Sequence, residues 1–237
     1  MGLADHLGPR ACVVFLTGAG ISVASGIRPF RGPGGLWEEV DPSEWANAAA
    51  MERDPGRCWR AHHEMASIVG AAAPNAAHRA IAELAARVAS VVVITQNIDG
   101  LHTRAGAKGV LEIHGSLSHL RCTACAHRAP AEGAPAEIPS CPRCQAPLRY
   151  DLVLFDEMLP VDTERAARDA LRACTCFVAV GTSGVVWPAA GYAREADFAG
   201  AYTAFVNLEP LDPPNPYFHE TILGRAEQVL PPLLACR

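Results

Sequence analysis

Six short apolar runs, each bounded by glycine, proline or polar residues, divide this chain. Cys12–Leu16, Val91–Thr95, Val110–Ile113, Leu152–Phe155, Cys174–Val180 and Tyr202–Val206 are rich in β-branched and aromatic side chains, which predicts buried strands. A final strand is expected near Gln228–Leu230, with a short helix. The segments between them carry a different period. After Pro74-Asn75-Ala76-Ala77-His78, the apolar residues Ala80, Ile81, Leu84 and Val88 share one helical face. Asp162 reads as the cap of a helix running through Ala173, and Asp41-Pro42 and Asp54-Pro55 read as helix starts within a mostly helical stretch, 36–74. Strands alternating with helices imply an α/β fold, a Rossmann-like parallel sheet with helices on both faces. Residues 1–35, 75–120 and 150–237 are assigned to it. Residues 36–74 form a helical insert, and 121–149, short and rich in proline and cysteine, form a second inserted module. Together the two inserts make a small domain.

Polar tips follow most of these strands, and in open α/β sheets ligands bind at the carboxyl ends of the strands. After the first strand, Thr17-Gly18-Ala19-Gly20 turns sharply, since glycine has no Cβ to block the turn or a ligand. Ile21–Ala24 then starts a helix whose free N–H groups face the turn, an arrangement that seats phosphate. Val23 occupies the third glycine position of the G-x-G-x-x-G fingerprint, so this turn alone leaves nucleotide binding open against a ligand-free turn. In the broken loop Ser25–Gly35, Arg31 can pair with a phosphate and Phe30 can lie on a planar ring.

Later tips add chemistry. Asn97 and Asp99, in Gln96-Asn97-Ile98-Asp99-Gly100, can hold a carboxamide, whose NH₂ donates and whose C=O accepts. Asp99 before Gly100 also suits an ordinary turn. His114 sits at a strand end in Ile113-His114-Gly115, and its near-neutral pKa suits general-base work. Most of the other eight histidines are assigned to helix surfaces or packing. Gly181-Thr182-Ser183 offers hydroxyls and amides to a phosphate or ribose, and Glu209 suits ribose hydroxyls.

Cys122-Thr-Ala-Cys125 and Cys141-Pro-Arg-Cys144 are two knuckles separated by 15 residues. Four thiolates at this spacing suit a closed tetrahedral Zn²⁺ site, structural rather than catalytic. This zinc ribbon carries Arg121, Arg128, Arg143 and Arg149 but no aromatic platform for nucleic acid. The net charge of −5, with no basic block, argues in the same direction. Half the 237 residues are hydrophobic, yet no apolar run approaches the ~20 residues of a membrane span. The N-terminus lacks a signal-peptide core and the Ser or Thr of a myristoylation motif. Nine cysteines, an odd number with four clustered, argue against a disulfide framework. The chain therefore reads as soluble and cytoplasmic, with no membrane partner.

The string from Gly18-Ala-Gly-Ile-Ser22 through Ser25-Gly-Ile27 and Phe30-Arg-Gly32 to Gly35-Leu-Trp37 resembles the NAD-binding signature of the sirtuins, the NAD-dependent protein deacylases. The Gln96–Asp99 tip, His114-Gly115, the cysteine knuckles, Gly181–Ser183 and Asn207-Leu208-Glu209 follow in that family's order, and the resemblance runs from about residue 11 to residue 233. It implies NAD and one structural Zn²⁺ as cofactors, and acyl-lysine proteins or peptides as partners. NAD contacts are implied at Gly18, Ala19, Gly20, Ser22, Phe30, Arg31, Trp37, Gln96, Asn97, Ile98, Asp99, Gly181, Thr182, Ser183, Asn207, Leu208, Glu209 and Ala226. Asn97 and Asp99 are implied to hold the nicotinamide amide and Gln96 to touch the ribose; Asn97 and His114 are the implied catalytic pair. By resemblance, His114 deprotonates the nicotinamide ribose after the acyl-lysine oxygen has displaced nicotinamide from C1′. The implied products are free lysine, nicotinamide and O-acyl-ADP-ribose.

Three departures from the family pattern bear on the substrate. Pro29 stands where Asp or Thr is common, stiffening the cofactor loop. Asp156 replaces the glycine of F-G-E in Val153–Glu157, a segment implied, with Val153 and Phe155, to bind the substrate by strand addition. The resemblance is nearest to the class III branch that removes malonyl and succinyl groups with a Tyr-x-x-Arg pair. Counting back from Pro74-Asn75-Ala76 puts His62 and Met65 at those positions, although a one-turn shift brings in Arg60. An apolar pocket for acetyl or other short neutral acyl groups is expected. Desuccinylation or demalonylation, and mono-ADP-ribosyl transfer, stay open as alternatives; a non-catalytic NAD- or nucleic-acid-binding module has no use for a base at His114.

Overall fold

The structure, a computed structural model, describes residues 2–30, 34–39 and 41–235, with the backbone alone at Trp37. Its strands are β1 (Cys12–Thr17), β2 (Ser90–Thr95), β3 (Val110–Glu112), β4 (Gly115–Cys122), β5 (Arg128–Pro130), β6 (Leu148–Leu152), β7 (Cys176–Val180), β8 (Tyr202–Asn207) and β9 (Glu220–Leu223). The main sheet is parallel throughout, in the order β3-β2-β1-β7-β8-β9. All its carboxyl ends therefore lie along one edge. A second, antiparallel sheet has the order β5-β4-β6. The helices are α1 (Ala48–Arg53), α2 (Pro55–Ala71), α3 (Ala76–Leu84), α4 (Leu101–Arg104), α5 (Val161–Ala173), α6 (Tyr192–Phe198) and α7 (Ala226–Ala235).

The apolar runs are continuous because both faces of the main sheet are covered. Along β1, Val13 and Phe15 join Ile81, Leu84 and Leu230 on one face, while Val14 and Leu16 join Leu171, Phe177 and Tyr192 on the other. The antiparallel sheet shares a core with α2: Trp59 and Val69 pack with Leu117, Leu120, Leu148, Tyr150 and Leu152. Trp59 Nε1 also donates to the Ala136 carbonyl at 3.0 Å, so the insert and the ribbon are joined. Among the described residues, no helix is long and apolar enough to cross a membrane.

Several expected boundaries differ. Residues 228–230 lie in α7, not in a strand; Leu230 and Leu234 are buried at helical spacing on the first core, and the edge strand is β9. Asp162 does not cap α5: Pro160 holds the N-cap position, and Asp162 lies in the first turn beside Arg165. The expected strand Leu152–Phe155 is instead the end of β6 plus a single bridge between Phe155 and Asn47. The turn after β1 enters a 3₁₀ helix, Ala19–Ser25, earlier and tighter than the expected helix start.

Candidate functional site

The tips of β1, β2, β3, β7 and β8 meet along the carboxyl edge. Gly18 N–H donates to Val180 O at 3.0 Å and Gly20 N–H to Gly181 O at 2.9 Å. A Cβ at Gly18 would lie 2.7 Å from Gly181 O, one at Gly20 2.8 Å from Gly181 Cα, and one at Gly181, where φ is +59°, 2.5 Å from Ile21 N. These glycines are required first by the contact between the β1 and β7 turns. Gln96 Nε2 then donates to Thr182 Oγ1 at 3.0 Å and Asn207 Nδ2 to Thr182 O at 3.4 Å, tying the tips of β2, β7 and β8 together. Ala19, Ile98 and Asn207 are half-buried there, Ser183, Leu208 and Glu209 are exposed, and Ala226 is buried at the start of α7, against 19–25. Phe30 is half-buried. Arg31 and the Trp37 side chain lie outside the described residues.

Ser22 is the hub of a buried polar network. Its Oγ donates to Asp99 Oδ2 at 2.7 Å and accepts from Asn97 Nδ2 at 3.2 Å. Asn97 Nδ2 also donates to Gly18 O at 3.1 Å, and Leu101 N–H donates to Asp99 Oδ1 at 2.9 Å. Burial pushes the Asp99 carboxyl up; the Leu101 amide and the Ser22 hydroxyl pull it back. Asn75, the cap of α3, donates its N–H to His78 Nδ1 at 3.3 Å. The His78 proton therefore sits on Nε2, which faces Ser22 Oγ at 3.5 Å. Beneath, His102 Nε2 meets Thr17 Oγ1 at 3.0 Å, and the two imidazoles lie 4.8 Å apart. Burial lowers His78 to about 4 and His102 to about 3, so both are neutral at pH 7. Sequence reasoning missed Asn75, His78 and His102 as part of the site; the one available signal was Asn75-x-x-His78, which forms a capping box.

His114 stands apart from this network. Its Nδ1 lies 3.0 Å from the Gln96 carbonyl, which can only accept, so Nδ1 carries the proton and Nε2 holds a lone pair. Burial lowers its pKa, opposed by the bond to Gln96. Neither His114 Nε2 nor Asn97 Oδ1 has a partner among the described residues. A free base and a free amide oxygen on a Gly-rich sheet edge fit a dinucleotide with a carboxamide.

Val153 N–H donates to the His114 carbonyl at 2.9 Å, placing residues 153–156 beside that histidine. His62 is buried at the edge of Trp45, with ring centroids 5.6 Å apart, and burial lowers it to about 4. Met65 packs on the core that α2 shares with the antiparallel sheet and on the cluster of Trp45, Ala46, Ala50 and Cys58. Arg60 is exposed, its Nη1 turned back toward Gly56.

The four knuckle cysteines converge, with all Sγ atoms within 4.8 Å of one another. Cys122–Cys144, Cys125–Cys144 and Cys125–Cys141 are 3.4, 3.6 and 3.7 Å apart. A tetrahedron with Zn–S bonds of ~2.3 Å has edges of ~3.8 Å, so the sulfurs are positioned for one zinc ion. Ala124 N–H and Arg143 N–H donate to the Cys122 and Cys141 sulfurs at 3.3 and 3.4 Å.

The model of the Sir2 family matches residues 18–188. NAD-dependent protein deacylase 2 of Pyrobaculum aerophilum is 45% identical over 99% of this chain and 94% of its own length. NAD-dependent protein deacylase 1 of Pseudomonas aeruginosa is 42% identical, over 96% and 94%. A Sir2 homolog solved as an NAD complex superposes with a TM-score of 0.90 at 36% identity, covering 98% of this chain and 91% of that one. Matched by the family model over most of its length and 45% identical to a deacylase across 99% of it, the chain belongs to the Sir2 family, the sirtuins.

Proposed function

We propose that this chain is an NAD-dependent protein-lysine deacylase, releasing free lysine, nicotinamide and O-acyl-ADP-ribose, with a preference for acetyl and other short neutral acyl groups. The observation that carries the reading is His114, whose Nδ1–H is fixed on the Gln96 carbonyl and whose Nε2 is left to take a proton. When bound, NAD supplies an electrophilic C1′ with nicotinamide as leaving group, and a ribose to accept the acyl group. The protein's part is positioning and proton transfer. Asn97, held by Gly18 O and Ser22 Oγ, turns its Oδ1 out to orient a carboxamide N–H. The tied tips of β2, β7 and β8 hold ribose and phosphate, with Gln96, Thr182, Ser183 and Glu209 as the polar contacts. His114 accepts a proton at Nε2, and the Gln96 carbonyl stabilises the imidazolium through Nδ1–H.

Three residues support the acyl preference: His62 is buried and neutral, Met65 is apolar, and Arg60 is exposed with its Nη1 beside Gly56. Arg121 and Arg149, which line the cavity beside His62, pair with Glu157. We also assign residues 36–74 and 121–149 to one small domain, extended by the rest of β4 and β6 (115–120 and 150–152), which share the core of Trp59. A cytoplasmic setting belongs to the same proposal, because a four-thiolate site needs reduced cysteines.

The test is nicotinamide release from NAD with acetyl-lysine and succinyl-lysine peptides, with His114→Ala as control. Expected are a rate at least about tenfold higher for acetyl, an inactive variant, and an acid limb of kcat/KM below ~6.5, since burial lowers the base. Equal or faster succinyl turnover removes the pocket assignment. Label passing from NAD onto protein rather than onto the acyl product indicates mono-ADP-ribosyl transfer instead.

A further inference from the structure

Strands β1 and β2 end on paired threonines, Thr17 and Thr95, and both are buried. Threonine suits this place because its branched Cβ fits the strand while its hydroxyl reaches backbone two residues on. Thr17 O–H donates to Thr95 Oγ1 at 2.9 Å. With that proton committed, Thr17 Oγ1 accepts from His102 Nε2–H at 3.0 Å. Thr95 Oγ1 also accepts the Asn97 N–H at 3.1 Å, and it is the one acceptor of that N–H among the described residues. Thr17, Thr95 and His102 are each at most 3% exposed, so no solvent replaces a bond lost here.

The Asn97 N–H is one side of a peptide unit whose other side is the Gln96 carbonyl. A trans peptide is planar, with its N–H and C=O pointing in opposite directions, so holding one fixes the other. The Gln96 carbonyl accepts from His114 Nδ1–H at 3.0 Å and from no other described group. The bonds therefore form one chain: His102, Thr17 and Thr95 on the buried side, the Gln96–Asn97 peptide between, and His114 at the end. The Gln96 N–H, bonded to Thr17 O at 2.9 Å, fixes the preceding peptide but not this one.

The geometry points to Thr95 as a positioning residue for His114: its hydroxyl, held by Thr17 and His102, sets the Gln96–Asn97 peptide plane, and through it the ring tautomer that leaves Nε2 free. The same plane carries Asn97, whose Oδ1 is turned toward the carboxamide, so one buried oxygen serves both groups. The inference rests on the deacylase reading for the use of that base and goes beyond it to what orients the base from behind. A valine at this position would keep the strand and the side-chain shape. It would leave the Asn97 N–H buried without an acceptor, and the peptide plane would turn toward another partner.

Thr95→Val, Thr95→Ser and Thr203→Val test it on the zinc-loaded protein. Thr203 is the control: it is equally buried, donates its hydroxyl to Tyr217 O at 2.6 Å, and lies at the amino end of β8, away from the site. Long-range ¹H–¹⁵N NMR at neutral pH reads the His114 tautomer, its resonance assigned by its loss in His114→Ala. Wild type, Thr95→Ser and Thr203→Val should show the Nδ1–H tautomer alone, and Thr95→Val a mixture of the two. In parallel, kcat with an acetyl-lysine peptide should fall about 10- to 100-fold in Thr95→Val, with the peptide KM within about twofold of wild type. Thr95→Ser and Thr203→Val should stay within about threefold of the wild-type kcat. If Thr95→Val does not fold, Thr95→Ala against Thr95→Ser isolates the same hydroxyl. If no protein turns the peptide over, the deacylase reading fails, while the tautomer still decides the positioning. A lone Nδ1–H tautomer in Thr95→Val, or Thr95→Ser as impaired as Thr95→Val, overturns the proposal.

Discussion

Moving from pH 7.5 to 5.5 should destabilise this protein chiefly through three buried histidines. His62, His78 and His102 are each at most 3% exposed, so solvent screening does little for them. Burial lowers them to about 4, about 4 and about 3. In the unfolded chain each titrates near ~6.5. At pH 5.5 the unfolded state therefore binds nearly one more proton per histidine than the folded state, and stability falls as pH falls. The stabilisation is complete above ~6.5 and is lost progressively toward about 4. For each group the loss at pH 5.5 is RT ln(1 + 10), ~1.4 kcal/mol, and three together give about 4 kcal/mol. The lowered His114 acts in the same sense, while Asp99 and Glu112, whose carboxyls burial pushes up, oppose it. A variant isolates one contribution. Urea unfolding of wild type and His62→Gln at both pH values should show the variant losing ~1.4 kcal/mol less than wild type between them. Protonation of the zinc thiolates affects both proteins alike and cancels. An equal loss in the two proteins would show that His62 is not held neutral by burial.

Three further substitutions probe other parts of the molecule. Gly115→Ala, at φ +79°, would place a Cβ 2.0 Å from Asp151 O, whereas Gly26→Ala, at φ +84°, meets nothing within 4 Å. Denaturation should show a loss of about 1 kcal/mol for Gly26→Ala and at least about 3 for Gly115→Ala; equal losses would show that φ alone matters. Cys141→Ser, at a fully buried sulfur, should release the zinc by metal analysis and speed amide exchange across β4–β6 while β1 and β7 stay protected. Loss of protection across both sheets would mean that the ribbon is not a separate cooperative unit.

Five strands of the main sheet, β1, β2, β3, β7 and β8, were legible as apolar runs such as Val13–Leu16, whereas the half-exposed edge strand β9 was not. Nor was β4. Its Ser118, His119 and Arg121 are exposed or half-buried, and its cohesion comes from distant partners: Trp59 in α2, Leu148 and Tyr150 in β6, and the cysteine cluster. The same distinction holds at the site. Strand tips can be read because a parallel sheet brings every carboxyl end to one edge, so Gln96, His114 and Thr182 are neighbours by topology alone. The support for Ser22 comes from Asn75 and His78, more than fifty residues away, and from the His102 beneath them. No local pattern reports that three such side chains share one buried space.

The incomplete glycine fingerprint shows how a rule can mislead while its physics holds. The third glycine of a dinucleotide turn serves close packing of helix on strand. Here the turn enters a 3₁₀ helix, and Val23 points outward, 44% exposed, so no close approach occurs at that position. The requirement has moved across the sheet to Gly181, where a Cβ would strike the backbone of Gly20 and Ile21. Val23 is therefore no evidence against a nucleotide at this edge. The constraint is met by a glycine more than 150 residues downstream, which only the pairing of β1 with β7 brings into place.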